Sequence, residues 1–247
     1  MSRPATQATA KAALIVLTKA PVPGLVKTRL CPPATPEQAA ELAAAAMLDV
    51  LDVVRAVPQV HPMVALAGQL TGAARAAEII AAMATMTRFS QRGDGLGARI
   101  VAAHHDAAAL MPGRSSFQIS TDTPQVDAAL LAECVTTVLD PAVDAVLGPA
   151  TDGGWWALGL RDPRAAGPVA EVPMSRADTG ERTIAALRNA GLRVVLLPEL
   201  TDVDTASDIV TVAEALAATV PGSRFAAAAR ALLGDAATLE PGHSAQR

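Results

Sequence analysis

Aromatic side chains are scarce: the 247 residues hold two Trp, three Phe and no Tyr, so 2% of positions are aromatic. A core without them depends on aliphatic packing, and the Ala-rich composition, 51% hydrophobic overall, favours helices and close approach. Cysteine is nearly lacking too. Cys31 and Cys134 form no CxxC pair or metal-type spacing, which argues against a disulfide framework and a zinc site. Positive charge is not in excess: 20 Lys and Arg face 24 Asp and Glu, a formal net charge of −4. The basic field that draws proteins onto nucleic acid is therefore missing. Long apolar runs are absent as well. Residues 13–17 (ALIVL) stop at Thr18 and Lys19, too short for a secretory segment, and the Ala-rich stretch after Glu41 is broken by Asp49, Asp52 and Arg55. The expectation is a cytoplasmic protein with no membrane span.

What is present alternates. Short apolar runs at 13–18, 62–67, 85–90 and 116–121 read as strands, and each is followed by helix-forming sequence. Thr35-Pro36-Glu37-Gln38 offers an N-cap, a proline at the first helical position and a capping-box Gln, so a helix opens there and closes at Pro58. Further helices are expected over 72–83 and 97–110, and from Asp122-Thr123-Pro124 to about Leu139. Strands at 144–148 and 155–160 are too close for a helical crossover, which predicts some antiparallel pairing. A loop-rich stretch, a helix over 179–190, a strand over 193–197 and a helix capped within 202–205 complete the pattern. The fold class is α/β, a mostly parallel sheet with helices on both faces. One domain is expected over 1–220, then a C-terminal tail over 221–247 with a short helix at 225–233 and a disordered last dozen residues.

Ligands of such sheets bind at the carboxyl ends of strands, and four informative loops fall there. The loop 19–30 carries Lys19, Lys27 and Arg29 around Gly24 on a Pro-braced chain that suits phosphate oxygens; a solvated basic loop is the alternative. The motif GxxxxGK[ST] is absent, which disfavours a P-loop NTPase. Asp122 is placed to hold Mg²⁺ or Mn²⁺ or simply to cap the next helix, and Asp204, near Asp202, stands in a second such position. Gly93, Asp94, Gly95, Leu96 and Gly97 form a turn that could admit a nucleobase or ribose, or merely join strand to helix; Arg99 follows it. Asp152, Gly153 and Gly154 precede Trp155 and Trp156, as in a sugar- or acceptor-facing loop, with a β-turn whose tryptophans divide between core and rim as the alternative. His104 and His105 read as helix-face or packing residues, and no covalent nucleophile is legible.

LTKAPVPGLVKTRL, GDGLGAR, STDTPQV, GPATDGGWWALGL and LTDVDTASDI, in that order over about 13–215, closely resemble the DUF2064 family. That group is also called radical-SAM/selenodomain-associated transferase 1, is glycosyltransferase-like and is related to 2-phospho-lactate guanylyltransferases. The resemblance implies a GT-A-like nucleotide-diphospho-sugar transferase fold. It implies Lys19, Lys27 and Arg29 on nucleotide phosphates, the turn 93–99 on the nucleotide, and Asp122 with Asp204 on a divalent metal. Asp152 and its glycines would face sugar or acceptor, with Asp152 and Lys27 in catalytic roles. Glycosyltransferases of this fold usually show Asp-x-Asp, whereas Asp122 is followed by Thr123 and Pro124 and so lacks the second acid. The expected partners are a nucleotide or nucleotide-sugar and a small-molecule acceptor. Three functions compete: glycosyl transfer, nucleotidyl transfer with release of pyrophosphate, and nucleotide binding without catalysis.

Overall fold

The structure is a computed structural model, and it describes residues 10–239. Seven strands form one sheet in the order β3-β2-β1-β4-β6-β5-β7. They are β1 (Ala12–Lys19), β2 (Val60–Ala67), β3 (Thr87–Ser90), β4 (Ser115–Ile119), β5 (Ala145–Pro149), β6 (Trp155–Leu160) and β7 (Val194–Leu196). β6 alone runs against the rest, pairing antiparallel with both β4 and β5, while the other pairs are parallel.

The described residues form seven α-helices: α1 (Pro36–Ala56), α2 (Ala76–Ala82), α3 (Gly95–Leu110), α4 (Ala128–Leu139), α5 (Thr179–Asn189), α6 (Ala206–Thr219) and α7 (Arg224–Leu239). A 3-10 segment, Pro163–Glu171, occupies the expected loop after β6. Strand residues alternate between the two faces, as a period of two requires. Leu14, Val16 and Phe117 join Met47 and Leu51 of α1 and Trp156 on one side. Ile15, Leu17 and Leu158 meet Ile100 and Ala103 of α3 and Val169 of the 3-10 segment on the other. The scarce aromatics concentrate here: Phe117 and Trp156 lie edge to face, centroids 6.5 Å apart.

The capping box at Thr35 and Gln38 forms as its spacing predicts, with Gln38 N donating to Thr35 Oγ1 at 3.2 Å and Thr35 N to Gln38 Oε1 at 2.9 Å. Three expectations need correction. Asp122 does not open a helix: α4 begins six residues later at Ala128, where the Asp127 carboxylate accepts from Leu130 N at 2.7 Å and supplies the cap. The helix expected over 72–83 is only Ala76–Ala82.

The sequence after 221, expected to be a tail, is part of the packed body. Asp49 of α1 accepts from Ser223 Oγ (2.8 Å), Arg224 N (3.1 Å) and Phe225 N (3.0 Å), which satisfies donors at the start of α7. Phe225, Ala226, Ala229 and Leu232, one helical face, are buried with Leu42 and Ala46 of α1 and Ile209 and Leu216 of α6. Of the last dozen residues, expected to be disordered, 236–239 belong to α7, and 240–247 lie outside the described residues.

Candidate active site

Because β6 is reversed, the loops after β1, β4 and β7 and the turn joining β5 to β6 converge on one edge of the sheet. β1 lies between β2 and β4, the switch in strand order where α/β sheets leave a crevice. A cavity of about 650 Å³ opens there.

Its acidic wall is organised around Val203, the residue between Asp202 and Asp204. Val203 N donates to the carbonyl of Asp122 at 2.9 Å, so the end of β4 is stitched to the segment after β7. Its side chain is buried with Leu30, from the loop after β1, and with the helices α6 and α7. The Val203 carbonyl accepts from Lys27 Nζ. The same ammonium contacts Asp122 Oδ1 and lies 3.4 Å from Asp204 Oδ1, while Arg29 Nη1 stands 3.1 Å from Asp204 Oδ2. An ammonium has three N–H donors, and these three acceptors engage them all. Burial works to discharge Lys27, but the carboxylates of Asp122 and Asp204 outweigh it and hold its pKa above the ordinary lysine value.

Asp202 joins this wall, although sequence reasoning noted it only as a neighbour of Asp204. Burial, reinforced by the carboxylates of Asp122 and Asp152 and opposed by Lys27, pushes its carboxyl up to about 7. Its Oδ1 is buried without a hydrogen-bond partner. A lone Asp after a three-residue strand carries no spacing signal, so only its burial among other carboxylates marks it. Among the described residues, no group of three or more His, Cys, Asp or Glu forms a ready-made metal cage. The donor set nonetheless fits a hard divalent cation. Asp122, Asp152, Asp202 and Asp204 outnumber Lys27 and Arg29, one carboxylate oxygen is orphaned, and such ions take one or two carboxylates plus phosphate oxygens.

The turn between β5 and β6 is locked in place. Gly153 has φ +86°, and a Cβ there would stand 1.9 Å from the carbonyl oxygen of Ala177, so only glycine fits. Gly180 N, in the first turn of α5, donates to Gly153 O at 2.8 Å. Asp152 Oδ1 accepts from Gly154 N at 2.7 Å, which orients the carboxylate at the cavity rim. The two tryptophans divide. Trp156 is buried, its Nε1 donating to Pro198 O at 2.9 Å, whereas Trp155 is half-buried at the cavity and donates to Thr183 Oγ1 at 3.2 Å. Met174 and Arg176, from the segment before α5, line the cavity beside them and had no motif to announce them.

Of the residues singled out in the sequence, Lys19, Lys27, Arg29, Leu96, Arg99, Asp122, Asp152, Gly154, Trp155, Trp156, Asp202 and Asp204 line this one cavity. Gly24, Gly93, Asp94, Gly97 and Gly153 are not among its lining residues. Lys19 Nζ donates to Leu25 O at 2.7 Å, bracing its own loop. Gly97 is buried, and a Cβ there would meet Val169 O at 2.8 Å. Its small size serves the packing of α3 on the 3-10 segment. Gln91, three residues after Arg88 in β3, lines the cavity and ties strand ends together, its Nε2 donating to Thr18 O (2.8 Å) and Ala65 O (2.9 Å).

This architecture is shared with known structures. A candidate nucleotide-diphospho-sugar transferase from Desulfovibrio desulfuricans G20 superposes with a TM-score of 0.78 at 24% identity, over 92% of this chain and 98% of that one. CMP:2-keto-3-deoxy-manno-octonic acid synthetase in complex with CTP matches with a TM-score of 0.53 at 14% identity, over 85% of this chain and 100% of that one. A cytidylyltransferase from Leptospira borgpetersenii serovar Hardjo-bovis gives 0.53 at 11% identity, over 96% and 100%. No curated protein sequence matches. The chain thus has the fold of nucleotide-diphospho-sugar transferases and cytidylyltransferases. Residues 50–176 match the family described as an uncharacterized protein conserved in bacteria (DUF2064), and the chain belongs to it. No helix among the described residues is long and apolar enough to cross a membrane.

Proposed function

We propose that this protein is an enzyme that uses a nucleotide-activated donor together with Mg²⁺ or Mn²⁺, and that it transfers a glycosyl group from a nucleotide-diphospho-sugar to a small acceptor. The observation that carries the reading is the meeting of Lys27 and Arg29, from the loop after β1, with Asp122 and Asp204, from two other strand ends. Cations that grip phosphate and carboxylates that hold a hard cation are here within contact of each other, at the switch in strand order.

In this reading Asp122 and Asp204 would hold the cation, which would supply positive charge against the leaving diphosphate. Arg29, whose side chain is 68% exposed, and Arg99 at the cavity bind phosphate oxygens. Trp155 and Met174 offer the apolar surface on which a sugar ring lies. Asp152 accepts the proton of the acceptor hydroxyl. The acceptor oxygen bonds to the anomeric carbon, and that carbon's bond to the phosphate oxygen breaks, its electron pair leaving with the nucleoside diphosphate. Two positioned groups and a fixed field do this work without a covalent intermediate.

Nucleotidyl transfer is the second reading, and one observation favours it. The acid that partners Asp122 is Asp204, from a separate strand end, and not a residue two positions further along, as in Asp-x-Asp. The two reactions differ in by-product. Incubation of nucleotide-sugars and of nucleoside triphosphates, each with Mn²⁺ and a panel of small hydroxyl and phosphorylated acceptors, should release nucleoside diphosphate from the former; pyrophosphate released from the latter would establish the second reading. Nucleotide-dependent thermal stabilisation should need the divalent ion and be lost in Asp122→Asn, with the unliganded variant still folded. Equal stabilisation with and without the ion, and no product from either panel, would leave only a binding protein.

A further inference from the structure

Lys27 is the most heavily committed side chain at the cavity. Its ammonium touches Asp122 and Asp204, the two carboxylates assigned above to the divalent ion, and the Val203 carbonyl between them. With three donors and three acceptors, no N–H is left over for a phosphate oxygen. The side chain is 13% exposed, so water does not share these contacts freely. Its backbone is also in the left-handed region, with φ 46° and ψ 36°. A non-glycine residue is strained there and persists only where surrounding contacts hold it.

A divalent ion bound by the same two carboxylates would place two positive centres within a few ångströms, in a partly buried wall where such repulsion is poorly screened. Both cannot keep the position. We propose that Lys27 is the resident counter-ion of the Asp122–Asp204 pair, displaced when a divalent cation enters, and that phosphate oxygens in the cavity then receive its ammonium. The inference rests on the metal-dependent reading above. It makes Lys27 a positioning residue in the empty protein, where it keeps two like charges from repelling, and a phosphate ligand only after exchange. It also links the two ligands. Each lowers the cost of binding the other, because the diphosphate supplies the partner that the cation takes away.

Mn²⁺ binding to wild type, Lys27→Met and Lys27→Gln, followed by electron paramagnetic resonance of the free ion, tests this. With Mn²⁺ alone, Lys27→Met should bind at least tenfold more tightly than wild type. Lys27→Gln, which keeps a donor but no charge, should fall between them. Inorganic pyrophosphate, at matched free Mn²⁺, should tighten binding to wild type several-fold and to Lys27→Met less. Should Lys27→Met prove too unstable without metal, Lys27→Gln carries the comparison, and Mn²⁺ should raise its melting temperature more than it raises that of wild type. A Lys27 that merely supports the fold would give weaker Mn²⁺ binding on removal. Equal or weaker binding to the variants overturns the exchange and leaves the metal-dependent reading standing. No Mn²⁺ binding to any of the three proteins, with or without pyrophosphate, overturns both.

Discussion

Two loops follow strands on the same edge of the sheet, and both carry sequence that suits a ligand. The cationic loop after β1 sends Lys27 and Arg29 into contact with carboxylates from two other strand ends. The glycine turn after β3 brings Leu96 and Arg99 to the cavity, but its Gly97 is spent on the packing of α3 against Val169 O of the 3-10 segment. The difference is physical. A charged side chain at a half-buried edge must find an opposite charge or a ligand, whereas a glycine can be needed by any close neighbour, backbone or ligand alike.

The contrast breaks most sharply under substitution. Arg29→Ala should lower kcat/KM for the nucleotide-activated donor by about 100-fold, the scale of losing a charge-assisted contact to a phosphate in the reacting geometry. Its melting temperature should barely move, because exposed ion pairs contribute about 0–1 kcal/mol. A large fall in stability with unchanged turnover would reverse the roles assigned to the two loops.

A structural role for α3 has its own acid signature. His104 on that helix is fully buried, its Nδ1 2.7 Å from Ser116 Oγ, and burial lowers its pKa to about 3, with a smaller push from His105. The unfolded chain takes up the proton near pH 6.5 while the folded protein refuses it until about pH 3. Stability is therefore lost as pH falls through that window, by up to about 1.4 kcal/mol per pH unit. Urea unfolding between pH 7 and 4 should show a shallower decline in His104→Gln than in wild type; parallel curves would remove His104 from the account.

The smallest effect expected is at the turn itself. Gly97→Ala puts a methyl carbon 2.8 Å from one backbone oxygen and 3.0 Å from the next, Ala170 O. A loss of about 1–3 kcal/mol should follow, with turnover per folded molecule retained. Lost donor affinity at unchanged stability would return Gly97 to the ligand.

Much of the site is legible in the chain before it folds. Lys27, Arg29, Asp122, Asp152 and Asp204 are each recognisable as charged residues in loops that follow apolar strand runs, Trp155 as an aromatic opening one, and all of them line one cavity. The error at Asp122 is instructive. Asp-Thr-Pro has the composition of a helix start, but Asp127 with Leu130 takes the cap, leaving Asp122 to Lys27. Asp202, Gln91, Met174 and Arg176 could not be selected, because their place at the cavity comes from contacts across the sheet and not from their neighbours in the chain. The region after 221 misled for a similar reason: its apolar face is short, and its worth depends on α1 presenting Asp49 to cap it.

Local sequence thus determined where strands and helices lie, which faces of them are apolar and which loops carry charge, since period and capping act over a few residues. Tertiary structure alone decided which charges answer one another. Reversal of β6 brings the turn at 150–154 to the same edge as the ends of β1, β4 and β7, and Val203 then draws Asp122, Asp204 and Lys27 to one point. Coulomb attraction and desolvation depend on distances between residues up to 177 positions apart, as for Lys27 and Asp204, and such distances exist only once the sheet has closed.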